Sequence, residues 1–187
     1  MSNEKHPQGG RSMFDRRRLL GFGLAVPLLV FSRKASATFI PESKSLNIYH
    51  QATGESFNGV FFVNGRYLHE QMAQLSYLMR DHSGQVMQMD PDLFDLLANM
   101  QGLMPASGPI ELVSGFRTPE SNRAARRTSR RVARNSLHMQ GQAIDIKVPG
   151  FTPFQVRQAA RELQLGGVGY YPRTGFVHVD TGPVRYW

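Results

Sequence analysis

The chain has 187 residues, with 22 Lys/Arg against 14 Asp/Glu, a formal net charge of +8 and no cysteine. Without thiols there is no disulfide framework and no cysteine nucleophile, so any bound metal must be held by nitrogen and oxygen. Seven of the basic residues and only two of the acids fall within residues 1–37, leaving 15 basic and 12 acidic residues in the remainder. The strong positive charge therefore belongs largely to that first segment, so a nucleic-acid reading loses most of its footing and no nucleic-acid partner is expected.

Residues 1–37 read as an export signal. Arg16-Arg17-Arg18 precedes an uncharged run from Leu19 to Ser32, and Ala35-Ser36-Ala37 supplies a small-x-small cleavage pattern. Paired arginines ahead of a modest apolar run point to the twin-arginine export machinery, which carries proteins already folded. The 14 residues of that run fall short of the ~20 that a membrane span needs. The expected organisation is a signal over 1–37 and one domain over 38–187, with no stable membrane span once the signal is removed and a final location in the periplasm. A domain of that length can bury a core of its own.

In chain order, Leu46–His50 and Gly59–Val63 alternate like short strands, and Asn64-Gly65 marks a turn. Apolar residues Leu68, Met72, Leu75, Leu78 and Met79 recur at helical spacing over 67–80. Asp90-Pro91 opens a helix to about Met100, followed by a strand over 110–113 that ends in Ser114-Gly115-Phe116-Arg117. Thr118-Pro119-Glu120 opens a charged helix reaching roughly Arg134, and 142–148 reads as a strand. Thr152-Pro153 starts a helix to about Leu165, closed by Gly166-Gly167, and 168–171 and 176–181 read as paired strands. Short links between these elements predict an α+β domain: a small antiparallel sheet flanked by helices.

Two stretches carry chemistry: Ser136-Leu-His138-Met-Gln-Gly141-Gln-Ala143-Ile-Asp145 and Phe176-Val-His178-Val-Asp180. Strand alternation puts His178 and Asp180 on one face and Val177 and Val179 on the other. Asp145 likewise shares a face with Ala143, opposite Ile144 and Ile146. Both strands aim polar groups away from the apolar side, with small residues beside them. Imidazoles and carboxylates in that arrangement suit a hydrolytic zinc site, which keeps one coordination position for water. His50, His69 and His82 fit no ligand pattern and read as structural.

The Ser-x-His-x-x-Gly-x-Ala-x-Asp and His-x-Asp motifs resemble the zinc D-alanyl-D-alanine carboxypeptidase family, which includes the VanX and VanY peptidases and shares a core with lysostaphin-type enzymes. The resemblance to its exported murein endopeptidase K branch extends over the whole mature chain, through Ser114-Gly-Phe-Arg117, Gly166-Gly-Val-Gly-Tyr-Tyr-Pro172 and Arg185-Tyr-Trp187. It implies a hedgehog/D-Ala-D-Ala peptidase-like fold and one Zn2+ per chain, ligated by His138, Asp145 and His178. It further implies a peptidoglycan endopeptidase that opens cross-links, including 3-3 links between diaminopimelate residues. The rivals are a D,D-carboxypeptidase or dipeptidase acting on stem peptides, and a non-catalytic zinc-containing wall-binding module.

One departure matters. Many relatives carry a catalytic carboxylate three residues before the last zinc-binding histidine, and that position here is Gly175. Asp180 is the substitute candidate for general base, with orientation of a ligand imidazole as its other reading. Arg117 is a candidate to grip a substrate carboxylate or stabilise an oxyanion, or else to pair with Glu120 or Asp145. Ser136, Tyr170 and Tyr171 are candidates for substrate contact, with turn shaping and packing as alternatives. Finally, Arg123, Arg126, Arg127, Arg130, Arg131 and Arg134 recur at intervals of three and four, predicting a continuous cationic helix face that leads into the Ser136/His138 loop.

Overall fold

In the computed structural model, residues 42–187 are described; the proposed signal segment and its cleavage site lie outside them. Eight strands form one sheet in the order β3-β2-β1-β4-β5-β7-β6-β8. β1 (Ser43–His50) and β2 (Ser56–Val63) pair antiparallel, and a tight turn leads to the two-residue edge strand β3 (Arg66–Tyr67). Asn64 and Gly65 both take positive φ, 48° and 80°, as a hairpin turn matched to strand twist requires. β4 (Ile110–Ser114) lies parallel to β1, and β5 (Ala143–Lys147) antiparallel to β4. β7 (Phe176–Asp180) is antiparallel to both β5 and β6 (Gly167–Tyr171), and β8 (Arg185–Tyr186) runs parallel to β6.

The expected small antiparallel sheet is thus corrected to a larger, mixed one. The α+β class stands, with four helices: α1 (His69–Leu78), α2 (Pro91–Leu103), α3 (Pro119–Thr128) and α4 (Pro153–Leu163). Proline sits in the first turn of the last three, where its missing N–H costs nothing, and the preceding Asp90, Thr118 and Thr152 side chains accept from the exposed backbone N–H groups. Helix α4 ends on Gln164 in the left-handed conformation, φ 55°. Gly166 and Gly167 therefore do not close the helix; they lie against Asp180.

The core is apolar and one-sided. Leu46, Ile48, Ile110, Leu112, Ile144, Ile146, Val177 and Val179 pack with Leu93, Phe94, Leu97 and Met100 of α2 and Val156 and Ala160 of α4. Their alternation sends the intervening residues of β5 and β7 to the opposite face, where the chemistry lies.

The expected helix to Arg134 stops at Thr128, with Ser129 extended at φ −144°. Thr128 Oγ1 donates to the Ala125 carbonyl at 2.9 Å, and Ser129 Oγ accepts from the Arg131 N–H at 3.3 Å. Both hydroxyls compete with helix continuation, and the arginines repel along such a face. The chain folds back instead, and Asn122 Nδ2 donates to the carbonyls of Ala133 and Arg134 at 3.1 and 3.4 Å.

Candidate metal centre

His138 rides on a short 3-10 turn, Leu137–Gln140, ended by Gly141 at φ 69°. Asp145 and His178 face each other across the β5–β7 ladder as direct register partners. These three residues, from separate parts of the chain, converge with 2–8 % exposure. His138 Nε2 lies 3.3 Å from Asp145 Oδ1 and 3.1 Å from His178 Nδ1, and His178 Nδ1 is 2.9 Å from Asp145 Oδ1.

The outer ring nitrogens decide what the inner ones can do. His138 Nδ1 is 2.6 Å from the Gly115 carbonyl, which can only accept, so Nδ1 carries the proton and Nε2 turns a lone pair inward. His178 Nε2 is 3.0 Å from Asp180 Oδ2 and donates there, leaving Nδ1 as an inward lone pair. With Asp145 Oδ1, three acceptors then meet around one point, where a cation or a proton has to sit. Their 2.9–3.3 Å separations approach the ~3.3 Å edge of a tetrahedron with metal–ligand bonds of ~2.0 Å. The residues could hold a divalent metal ion.

Burial lowers the His138 pKa, reinforced by Arg117 and His178 against the pull of Asp145. Burial also disfavours the charged form of His178, but Asp145 and Asp180 outweigh it and raise its pKa. Burial likewise opposes ionisation of Asp145, yet the two imidazoles hold its carboxyl well below the usual range.

Behind these residues lies a supporting shell. Arg117 Nη2 donates to Asp145 Oδ2 at 2.5 Å and Nε to Ser114 Oγ at 2.9 Å, fixing the carboxylate with Oδ1 toward the two imidazoles. Asp180 is fully buried and does not line the cleft. It accepts from His178, from the Gly167 and Gly182 N–H groups at 3.1 and 2.9 Å, and from both terminal nitrogens of Arg185. Burial pushes its pKa up, but His178 and Arg185 together hold it at about 2.

The triad opens into a cleft of about 290 Å³ whose other walls include Arg117, Arg131, Ser136, Tyr171, Phe176, Arg185 and Trp187. Asp145 is the only carboxylate among its described lining residues. Of the sequence candidates, Ser136 and Tyr171 line this cleft, whereas Tyr170 lines a neighbouring one with Arg131, Pro172, Arg173 and Trp187. His50 is structural: its Nδ1 accepts from the Ala52 and Thr53 N–H groups at 3.1 and 3.3 Å.

The roles of Arg185 and Trp187 escaped the sequence reading. Trp187 Nε1 donates to Tyr171 Oη at 3.0 Å, and its ring centroid lies 5.3 Å from that of His178. A signal for both was present. Glycines at 167 and 169, two apart in one strand, strip a face of β6, where a Cβ would approach Arg185 within 2.6 Å and Trp187 within 2.7 Å.

Residues 38–187 match the M15 peptidase family model described as peptidoglycan L,D-endopeptidase MepK. The chain is 40 % identical over 176 residues to the protein of that name from Escherichia coli K12, covering 92 % of this chain and 97 % of the relative. The Shigella flexneri protein gives the same figures. A probable peptidoglycan L,D-endopeptidase MepK of Haemophilus influenzae is 40 % identical over 169 residues, covering 89 % and 90 %. No solved structure matches.

Proposed function

Because the chain belongs to the peptidoglycan L,D-endopeptidase MepK family of M15 peptidases, we propose that it is an exported zinc metallopeptidase hydrolysing peptide cross-links of peptidoglycan. Its substrates include the 3-3 links between diaminopimelate residues. The observation that carries this reading is the meeting of three metal-ligating acceptors at the floor of an open cleft. One zinc ion per chain is held by His138, Asp145 and His178, in a fold of the hedgehog/D-Ala-D-Ala peptidase kind. The names of the relatives support a periplasmic location, and no helix among the described residues is long and apolar enough to cross a membrane. Export by the twin-arginine route rests on the residue pattern of 1–37 alone.

When bound, zinc supplies Lewis acidity toward the scissile carbonyl and lowers the pKa of water. The remaining work belongs to the chain. Gly115 and Asp180 fix the tautomers of the two imidazoles, and Arg117 fixes the rotamer of Asp145. Asp180 is assigned this orienting role rather than that of general base, since full burial and its ring of donors keep it from any substrate proton. Tyr171 accepts from Trp187, so its own proton is free to donate to an oxyanion developing in the cleft. Ser136 and Arg117 stand on the cleft wall, where a stem peptide's carboxylate or amide groups would pass.

Digestion of purified sacculi tests this. Cross-linked muropeptides should disappear, chelator should stop the reaction, and zinc should restore it. Release of terminal D-alanine with cross-links intact would assign a D,D-carboxypeptidase instead. A wall-binding module is the second reading, and it is favoured by Asp145 being the only carboxylate side chain among the cleft's described lining residues. Sacculus binding with no zinc-dependent product would establish that reading.

A further inference from the structure

The arginines of 123–134 are left unexplained by the metal site. Residues 42–187 hold 15 Lys/Arg and 12 Asp/Glu, and six of those basic groups lie within these 12 positions, where there is no acid at all. All six are exposed. Arg123 pairs with Glu120, and the other five form no ion pair among the described residues. Clustered unpaired cations repel, so the arrangement costs stability unless an anionic partner offsets it.

The segment is nevertheless held firmly in place. Thr118 caps α3, Ser121 Oγ and the Thr118 N–H donate to the buried Asp81 carboxylate at 2.9 and 3.1 Å, and Asn122 ties down the returning loop at Ala133 and Arg134. The returning loop delivers Arg131 to the wall of the cleft. Arg131 also lines the adjoining cleft with Tyr170, Arg173 and Trp187. The cationic surface is therefore continuous with the mouth of the site.

We propose that residues 123–134 form a docking surface for the peptidoglycan polymer itself, engaging carboxylates of stem peptides neighbouring the one in the cleft. The inference rests on the peptidoglycan reading above and goes beyond it by separating capture of the polymer from cleavage of one bond. Stem peptides present repeated carboxylates along a glycan strand, and a row of guanidinium groups spaced over the last turns of α3 and the loop that follows it can meet several at once. A soluble cross-linked muropeptide brings only the stems joined at the bond in the cleft and no neighbouring stems along a glycan strand, so its turnover should depend little on this surface.

The test compares wild type with the Arg126→Gln/Arg127→Gln/Arg130→Gln/Arg134→Gln variant. Cosedimentation of chelator-treated protein with purified sacculi is followed across a salt series. The variant should bind roughly ten-fold more weakly, and salt should affect it less. Turnover of a soluble cross-linked muropeptide by the zinc-loaded enzymes should agree within about two-fold. Unaltered sacculus binding overturns the proposal, as does an equal loss on both substrates. So does wild-type binding that survives methyl esterification of the wall carboxylates, or a variant that loses only binding to phosphatidylglycerol vesicles. Should the quadruple variant misfold, Arg126→Glu/Arg130→Glu replaces it with the same expected outcomes. Because binding is read without hydrolysis, a protein that binds sacculi through these arginines but cleaves nothing would sink the endopeptidase reading alone.

Discussion

Arg185 grips Asp180 through both terminal guanidinium nitrogens, at 3.0 and 2.7 Å, and Asp180 in turn accepts the outward N–H of His178 at 3.0 Å. A residue of the last strand thereby sets the tautomer of His178, an imidazole of the group that could hold a metal ion. The carboxylate is fully buried while its arginine keeps 43 % side-chain exposure. The asymmetry means that the two partners fail differently.

Arg185→Ala strands a buried charge and should destabilise the fold by about 3 kcal/mol, roughly 6–12 °C in Tm for a domain of this size. Asp180→Asn removes the charge together with its burial cost, so Tm should change less. Its cost should instead fall on His178, with zinc affinity down roughly 10–100-fold. Thermal melts and zinc titration against a competing chelator separate the two. Equal zinc affinity in Asp180→Asn and wild type would contradict the orienting role.

Metal removal should be visible without any substrate. Trp187 is the only tryptophan in the chain, and its ring lies 5.3 Å from His178, so its fluorescence should change as zinc is stripped and return at one equivalent. His138→Ala should abolish that response and lower turnover by at least about 100-fold. Acid should weaken zinc binding, because the raised pKa of His178 lets protons compete for its lone pair as pH falls through that value.

The grouping of His138, Asp145 and His178, which could hold a metal ion, is legible in the sequence because its signal is local and periodic. Strand alternation in 176–180 puts His178 opposite Val177 and Val179 whatever the rest of the chain does. The sheet as a whole was harder to read. β8 is two residues long, and its pairing with β6 is parallel and set by Arg185 and Trp187 filling the space left by Gly167 and Gly169. No propensity rule anticipates such packing, and for the same reason the full burial of Asp180, which supports an orienting role, is not legible in the sequence. The arginine helix was overextended for a different reason: a regular 3/4 spacing continues past Thr128 and Ser129, but hydroxyl–backbone bonds and charge repulsion end the helix there.

Asp81 provides a pH dependence remote from the metal. Burial raises its pKa, but hydrogen bonds from Ser83, Ser121 and Thr118 more than compensate, bringing it down to about 2 from an ordinary 3.8. A depressed folded pKa contributes stability that is complete above the unfolded value and is lost as pH falls through the folded one. Stability should therefore decline from about pH 4 toward pH 2 through this group. Asp81→Asn should cost about 1–3 kcal/mol at neutral pH and flatten that part of the profile. Denaturant midpoints at pH 2.5 and pH 7 for both proteins give the comparison, and an unchanged slope would exclude Asp81 as the source.

Gly169→Ala tests whether the bare face of β6 exists to seat the indole. An added Cβ would come within 2.7 Å of Trp187 Cε2 and Cζ2, and Gly169 is the register partner of His178. The ring cannot stay where it is, so its hydrogen bond to Tyr171 should be lost and its emission should change as it leaves the His178 imidazole. Overpacking of this kind costs about 1–3 kcal/mol. Turnover should fall further than zinc affinity, since the methyl group displaces Trp187 and Tyr171 but leaves the Asp180 contact to His178 in place. Gly169→Ala with native emission and native turnover would mean that the indole has other room, and that its seat beside the imidazole is incidental to catalysis.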